Sequence, residues 1–253
     1  MVAGGMRKLL LAVVVLLVIV AAALVVVSVV LDRTSVQRHA IKGPVSAIVV
    51  RSSAGDVDLV PAGTRLEVRE TRHYVFAKPK LEQSVSGGVL TIKSDCNTKV
   101  VTCYSDLRVT VPPGAAVTVE ADSGDVEAGE LGARNARLRS DSGDVRLELV
   151  GRQQLASART DSGHVDVVAA AARTIDAQSD SGDVTVDAAA RPHRTVALSD
   201  SGDVTVTVPP GAYAVDAKTD SGDVKVEGIT IDEGAPSSIQ ARTDSGDVTV
   251  RAG

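Results

Sequence analysis

A five-residue motif, Asp-Ser-Gly-Asp-Val, recurs through the second half of the chain at nearly constant spacing, and a variant copy carries His164 at its second acidic position. The central glycines of the seven copies are Gly124, Gly143, Gly163, Gly182, Gly202, Gly222 and Gly246. Successive glycines lie nineteen or twenty residues apart, until a last step of twenty-four. A fixed step of this size is typical of repeat proteins, in which each unit buries its apolar face only against its neighbours.

Apolar and polar residues alternate on both sides of each repeat glycine. Around Gly143, for example, Leu138 stands five residues before the glycine and Val145 two residues after it. Alternation with period two indicates strands with one buried face. Each repeat is therefore predicted to contain two half-buried strands joined by a glycine turn, and the predicted fold class is all-β.

Two topologies satisfy this pattern. In a β-solenoid, similar to a parallel β-helix, equivalent strands of successive repeats pair in parallel about 4.8 Å apart. In an antiparallel β-meander or sandwich, Ser-Gly would be a two-residue hairpin loop. We favour the solenoid, because the same turn recurs in register and because small inward residues suit a narrow coil. The longer last step, which contains Gly228, Gly234 and Pro236, is expected to be a loop that bulges from one coil.

Residues 9–31 form an apolar run without charge. At about 1.5 Å per residue, a helix of this length crosses a hydrocarbon core of about 30 Å. We interpret the run as a single-pass membrane anchor, with a cleaved secretory signal as the alternative. Arg7 and Lys8 precede the run, so residues 1–8 are expected in the cytoplasm and the rest of the chain outside the cell membrane.

The remaining chain divides into a linker and one β domain. Residues 32–44 are polar and unpatterned, and we expect them to be a linker. Residues 45–253 are predicted to form the extracytoplasmic β-repeat domain, with an irregular cap at 45–115 and the repeats at 116–252. Strands within the cap are expected at 47–50, 57–60, 66–76, 89–92 and 107–111.

Cys96 and Cys103 are the only cysteines, and they lie seven residues apart between alternating runs. This spacing predicts a disulfide that closes a short loop, with free thiols or a metal site as alternatives. A disulfide would indicate an oxidising compartment.

The acidic residues of the motif are weak candidates for calcium binding. Stacked coils would align their carboxylates, and calcium takes such oxygen ligands. The alternative is that these residues cap turns by bonding nearby backbone groups. The candidates are Asp122, Asp125, Asp141, Asp144, Asp180, Asp183, Asp200, Asp203, Asp220 and Asp223. No other cofactor is expected.

No catalytic residue is predicted. Asp-Ser-Gly also occurs in aspartic proteases, but seven copies in a repeat do not suit a paired-carboxylate site. A carbohydrate-active β-helix enzyme remains an alternative, although no unique carboxylate cluster stands out among the repeats. The formal net charge is −5, which argues against nucleic acid as a partner.

The repeated Ser-Gly-Asp-Val units, preceded by Val111-Pro112-Pro113-Gly114, resemble a bacterial family of β-strand repeat domains of unknown function labelled "putative adhesins". The resemblance covers about residues 45 to 252. It implies a β-solenoid-like envelope protein, sometimes associated with envelope stress, with no catalytic residues. The function expected from the sequence is therefore a non-enzymatic, membrane-anchored module that binds an envelope component or protein, with a calcium-stabilised rod as a further alternative.

Overall fold

The computed structural model describes residues 33–96 and 102–253. The predicted anchor at 9–31 lies outside these ranges, and within them no helix is long and apolar enough to cross a membrane. The described residues form twenty strands: β1 Arg33–Ala40, β2 Ala47–Ser52, β3 Val57–Pro61, β4 Glu67–Tyr74, β5 Lys80–Ser86, β6 Val89–Asp95, β7 Cys103–Val111, β8 Ala116–Ala121, β9 Val126–Leu131, β10 Asn135–Ser142, β11 Val145–Ser162, β12 Val165–Ser181, β13 Val184–Ala188, β14 Arg194–Ser201, β15 Val204–Val208, β16 Ala212–Ser221, β17 Val224–Glu227, β18 Thr230–Ile231, β19 Ser238–Ser245 and β20 Val248–Ala252.

Equivalent strands of neighbouring repeats pair in parallel and in register. Val145 pairs with Val165, and Val165 pairs with Val184, so the valine that follows each turn stacks on the valine of the next repeat. The two strands on either side of a turn form one coil, and coils repeat at the strand spacing of about 4.8 Å. The all-β, solenoid-like prediction is thus confirmed, and the antiparallel meander is wrong for the repeats.

The described strands form nine coils, and the order of these coils in the stack differs from their order in the chain. From one end, coils 1 to 9 are β6–β7, β2–β3, β8–β9, β10 with the start of β11, the end of β11 with the start of β12, the end of β12 with β13, β14–β15, β19–β20 and β16–β17. The strand pair β2–β3 is therefore placed second at one end of the stack, and β19–β20 is placed second from the other end.

The sequence suggested that the long step near the C-terminus bulges from one coil as a loop. The structure shows that this expectation is wrong. The step carries the chain back across coil 9, so that β19 docks between β14 and β16. The spacing of the repeats gives the length of this connection. It does not show on which strand edge the next repeat docks. Insertion gives β19 and β20 hydrogen-bonding partners on both edges and leaves β16–β17 at the end of the stack.

The core is a narrow column of Val, Ala, Leu and Ile that runs the length of the stack. The valine two residues after the turn glycine is at most 1% exposed in the inner repeats, as at Val145, Val184 and Val248. The alanines five residues before the glycine, such as Ala177 and Ala241, are also fully buried. Small residues on one side and valines on the other thus fill a thin coil, in which Tyr213 of β16 is also fully buried.

Three antiparallel strands cover coil 1. β5 pairs with β6, β4 pairs with β7, and β1 pairs with β4 along its whole length. The linker prediction for residues 32–44 is therefore wrong for 33–40, because a polar segment without alternation is held as a strand by pairing with β4. β5 is likewise not predicted, because most of its residues are exposed on both faces. The other expected cap strands are present as β2, β3, β4, β6 and β7.

The predicted disulfide is confirmed. Cys96 directly follows β6, Cys103 begins β7, and their Cα atoms lie 6.0 Å apart. In coil 1 the bridge thus joins the two strands near the position where the repeats place their glycine turn.

Candidate functional site

The Asp-Ser-Gly turns lie above one another and form a ridge along the stack, which we define as residues 122–124, 141–143, 161–163, 180–182, 200–202, 220–222 and 244–246. Glycine is required at its centre for two reasons. Gly143 has φ +139, a conformation that side chains disfavour, and a Cβ atom there would collide with the carbonyl oxygen of Gly124 in the preceding coil. The same collision recurs at the other repeat glycines, so their identity is dictated by the close approach of successive coils.

The second aspartate of each motif, except Asp223 in the outermost coil, hydrogen-bonds the backbone of the next coil. Oδ1 of Asp125 accepts the N–H of Asp144 at 2.8 Å, and Oδ1 of Asp144 accepts the N–H of His164 at 2.8 Å. We call this series the aspartate ladder. Its remaining carboxylate rungs are Asp106 to Asp56, Asp56 to Asp125, Asp183 to Asp203, Asp203 to Asp247 and Asp247 to Asp223.

His164 occupies one rung of the aspartate ladder without breaking it. Its Nδ1 atom accepts the N–H of Asp183 at 3.0 Å, as a carboxylate oxygen does in the other coils. This requires the neutral imidazole with its proton on Nε2, because a protonated ring has no acceptor. The histidine that the motif comparison singled out is therefore a structural acceptor.

A second ladder lies behind the aspartates. The hydroxyl of Ser140, three residues before the turn glycine, donates to the carbonyl oxygen of Gly124 at 2.9 Å, and Thr160 donates to Gly143 at 2.8 Å. Both hydroxyl residues are buried. The same bond is made by Ser179, Ser199, Thr219 and Thr243. A turn of the inner coils thus contributes a glycine contact, an acceptor for a backbone N–H of the next coil and, wherever Ser or Thr stands three residues before the glycine, a hydroxyl bond.

The first aspartate of each motif projects from the ridge. Arg139 bonds two of these residues, Asp141 at 3.1 Å and Asp161 at 2.9 Å, and their side chains remain about half exposed at 52% and 44%. The same position in the other coils is held by Asp122, Asp180, Asp200, Asp220 and Asp244, all exposed. This row forms a regular line of carboxylates alongside the serines of the turns.

The calcium candidates thus fall into two groups that the structure separates. Asp125, Asp144, Asp183 and Asp203 each use one oxygen in the aspartate ladder, whereas Asp122, Asp141, Asp180, Asp200 and Asp220 belong to the exposed row. Asp223 lies in the outermost coil and donates its own N–H to Asp247. Over residues 33–96 and 102–253, no three metal-ligating side chains converge on a common point. Calcium binding stays a prediction.

A buried ionic cluster in the cap is not predicted from the sequence. Glu70 is fully buried, lies 2.6 Å from Arg72, and accepts a hydrogen bond from Ser105 at 3.0 Å. His39 of β1 lies 3.7 Å from the same carboxylate. Glu70 stands on the inward face of an alternating strand, which is the one signal that could have identified it. The cluster ties β1, β4 and β7 together inside the cap.

A mainly apolar groove of about 530 Å³ lies at the other end of the second strands. Leu149, Val150, Ala169, Ala170, Ala188 and Pro209 line most of it. Asp187 also lines the groove and pairs with Val168, and Asp166 stands two residues before Val168 in the same strand. Burial raises the pKa of Asp166, Arg146 opposes this effect, and the charge of Asp187 adds to it.

The family comparison agrees with the ridge and its repeat. The Toastrack DUF4097 family matches residues 115–251, more than half of the chain and all seven turns. The chain belongs to this Toastrack family. No curated protein matches it.

Solved structures similar to this Toastrack protein carry names that refer to adhesion or lipid binding. A "putative adhesin" from Bacteroides fragilis is 14% identical over 87% of this chain and 97% of that chain, with a TM-score of 0.45. A "putative cell adhesion protein" from Clostridium sporogenes is 10% identical over 87% and 100%, with a TM-score of 0.38. A "Putative lipid binding protein" from Parabacteroides distasonis is 12% identical over 87% and 97%, with a TM-score of 0.31.

Proposed function

We propose that this Toastrack protein is a non-enzymatic module of the bacterial cell envelope that binds a partner through its ridge. Residues 9–31 would anchor it in the cell membrane as a single-pass helix, with the β domain outside. The Cys96–Cys103 disulfide supports an oxidising location, because such bonds are rare in the cytosol. The names of its structural relatives are compatible with adhesion or association with the envelope.

One observation carries this proposal. The polar residues at each turn divide into those that hold the coils together and those that do not. Asp144 and Ser140 are engaged in bonds between coils, whereas Asp141 projects from the same turn. Apart from Asp161, which Arg139 of the neighbouring coil bonds, the row of first aspartates is therefore a surface that the stacking of coils leaves available, on a backbone that parallel pairing fixes on both sides.

The chemistry of the ridge indicates the class of partner. Carboxylates and serine hydroxyls spaced by about 4.8 Å match a partner that carries cationic or hydrogen-bond-donating groups at regular intervals. An envelope polymer with free amino groups or a basic protein surface has this character. Because single exposed ion pairs contribute little, binding would depend on several rungs acting together.

Binding of the full chain in detergent micelles to washed cell-envelope fragments tests the proposal. We expect a variant with Asn at Asp141, Asp180 and Asp200 to lose most of the binding at moderate ionic strength. A control with Gln at Glu127, Glu130 and Glu233 removes the same charge away from the ridge and should bind as the parent does. Equal binding of both variants would contradict the proposal. So would hydrolysis of an envelope polymer that one point substitution abolishes, since this result would favour the β-helix enzyme.

A further inference from the structure

The two ends of the stack differ in how they are finished. Coil 1 is covered by β1, β4 and β5, but in the described part of the chain β17 pairs only with β20. Val224 of coil 9 is 46% exposed, whereas the equivalent valines Val204 and Val248 are fully buried. The sequence of coil 9 is thus that of an internal coil, but the coil lies at an open end of the stack.

Backbone groups at this end point away from the protein. In the inner coils, the N–H of Val204 donates to the carbonyl of Asp247, and that of Val248 donates to Asp223, always toward coil 9. The N–H of Val224 points the same way, and residues 33–96 and 102–253 place no coil beyond it. Because backbone direction alternates along a strand, Val226 also presents its N–H and carbonyl at the open edge.

The edge of β16 is open only over its central and final part. The short strand β18 pairs with it at Ala212 and Tyr213, where Asp232 donates to the carbonyl of Tyr213 at 2.9 Å. Since the backbone carbonyl of Tyr213 points toward the open edge, alternation makes the backbone groups of Val215, Ala217 and Thr219 point toward it as well. The free stretch between β18 and the turn at Ser221 is residues 214–220, and its centre is Ala217.

The charges on both open strands are arranged symmetrically about residues whose backbone groups point toward the open edge. Ala217 lies between Asp216 and Lys218, and Val226 lies between Lys225 and Glu227. In an antiparallel pair centred on a two-fold axis, the residue before the centre lies opposite the residue after it in the partner. Both strands would therefore place a lysine opposite a carboxylate, twice each.

We propose that the open end of coil 9 is a docking surface for a second copy of this chain. In this two-fold dimer, β16 and β17 pair antiparallel with the same strands of the partner copy, about Ala217 and Val226. Lys225 and Glu227 already lie 3.0 Å apart within one chain, and Lys218 and Asp216 lie 2.9 Å apart. Pairing gives each charge a second partner and buries Val224.

A second copy fits this end better than an unrelated strand, because the charge pattern of each open strand is complementary to the same pattern running in the opposite direction. A two-fold interface requires such self-complementarity. The covered end at coil 1 prevents the stack from growing further, so association ends at a dimer. This inference does not depend on the proposed function, since the open end and the exposed aspartates of the ridge are different surfaces.

Analytical ultracentrifugation of the full chain in detergent micelles tests the dimer through charge exchange. We expect Lys225→Glu to weaken self-association about tenfold, because it places like charges opposite each other twice. The double variant Lys225→Glu, Glu227→Lys should restore association, because it exchanges the two charges and keeps them complementary. Arg146→Glu changes the same charge at the same repeat position in a middle coil, and it should leave association unchanged.

A covalent readout reports the register. In the proposed pair the Cα atoms at residue 217 lie about 5.5 Å apart, within the range of a disulfide, so Ala217→Cys should form crosslinked dimers on oxidation. Thr205→Cys, on the outer face of coil 7, should not. A monomer at high protein concentration would overturn the proposal. A dimer that Lys225→Glu does not weaken would also overturn it, since the contact would then lie elsewhere, for example in residues 9–31.

Discussion

The carboxylate of Asp125 accepts the backbone N–H of Asp144 at 2.8 Å, one coil further along the stack. This bond turns a charged residue of the motif into part of the backbone pairing, because the acceptor and donor occupy the same repeat position in successive coils. It explains how acidic residues can be stacked at the spacing of parallel strands, since each negative charge meets a backbone dipole that offsets repulsion along the row.

The turn glycines should tolerate no side chain. We expect Gly163→Ala to lower the free energy of unfolding by more than about 2 kcal/mol, because φ is +142 and the new Cβ would meet the carbonyl oxygen of Gly143. Gly129→Ala is the control, since its Cβ would meet no atom within 4 Å. Urea unfolding followed by circular dichroism measures both. Equal stability of the two variants would contradict the close contact between coils.

The Cys96–Cys103 disulfide should stabilise the covered end of the stack. Its sequence separation of seven residues closes a short loop, for which chain entropy alone gives about 2.5 kcal/mol. We therefore expect the Cys96→Ser, Cys103→Ser double variant to unfold at a lower urea concentration than the parent. Reductant should lower the stability of the parent to that of the variant and leave the variant itself unchanged. A parent that reductant does not affect would argue against the bond.

Asp166 should make the protein less stable at neutral pH than at acidic pH, relative to a variant that cannot ionise. Burial raises the pKa of Asp166 in the folded state. The contribution of Asp166 to the free energy of unfolding is therefore complete below the unfolded pKa and is lost as pH rises through the folded pKa. Asp166→Asn should therefore gain stability over the parent between about pH 3 and pH 7. Unfolding of both proteins at the two pH values measures this gain, and an equal difference between them at both values would contradict it.

Calcium removal provides a test of what the carboxylates do. The ladder carboxylates already accept backbone N–H groups, so we expect chelator to leave the Tm of the full chain unchanged and millimolar calcium to raise it little. Thermal scans with chelator and with calcium measure the difference, and magnesium serves as the control ion. A large rise specific to calcium would show that the exposed first aspartates form metal sites and would favour the calcium-stabilised rod.

The periodicity of the sequence was sufficient to predict the parallel stack. Glycine at a constant step, with valine always two residues later, leaves one register in which Val145, Val165 and Val184 lie above one another. The disulfide could be predicted equally well, because the sequence contains only these two cysteines. Both predictions depend on local spacing, which the sequence contains in full.

The arrangement at the two ends of the stack could not be read in the same way. Whether β19 docks outside β16 or inside it depends on which strand edge is free, and both edges have the same hydrogen-bonding pattern. The strand β1 has no apolar alternation and exists because β4 offers it an edge. For the ridge, the sequence identified the acidic residues, but only the structure separates Asp144, which bonds the next coil, from Asp141, which does not.

The most direct test of this account compares two aspartates three residues apart in one motif. Asp144→Ala removes an acceptor from the N–H of His164, and we expect a loss of about 1 to 2 kcal/mol in the free energy of unfolding. Asp141→Ala removes an exposed carboxylate and should change stability by less than about 0.5 kcal/mol while weakening attachment to envelope fragments. Urea unfolding of the two variants beside the parent would contradict the account if their losses were equal or if Asp141→Ala were the more damaging.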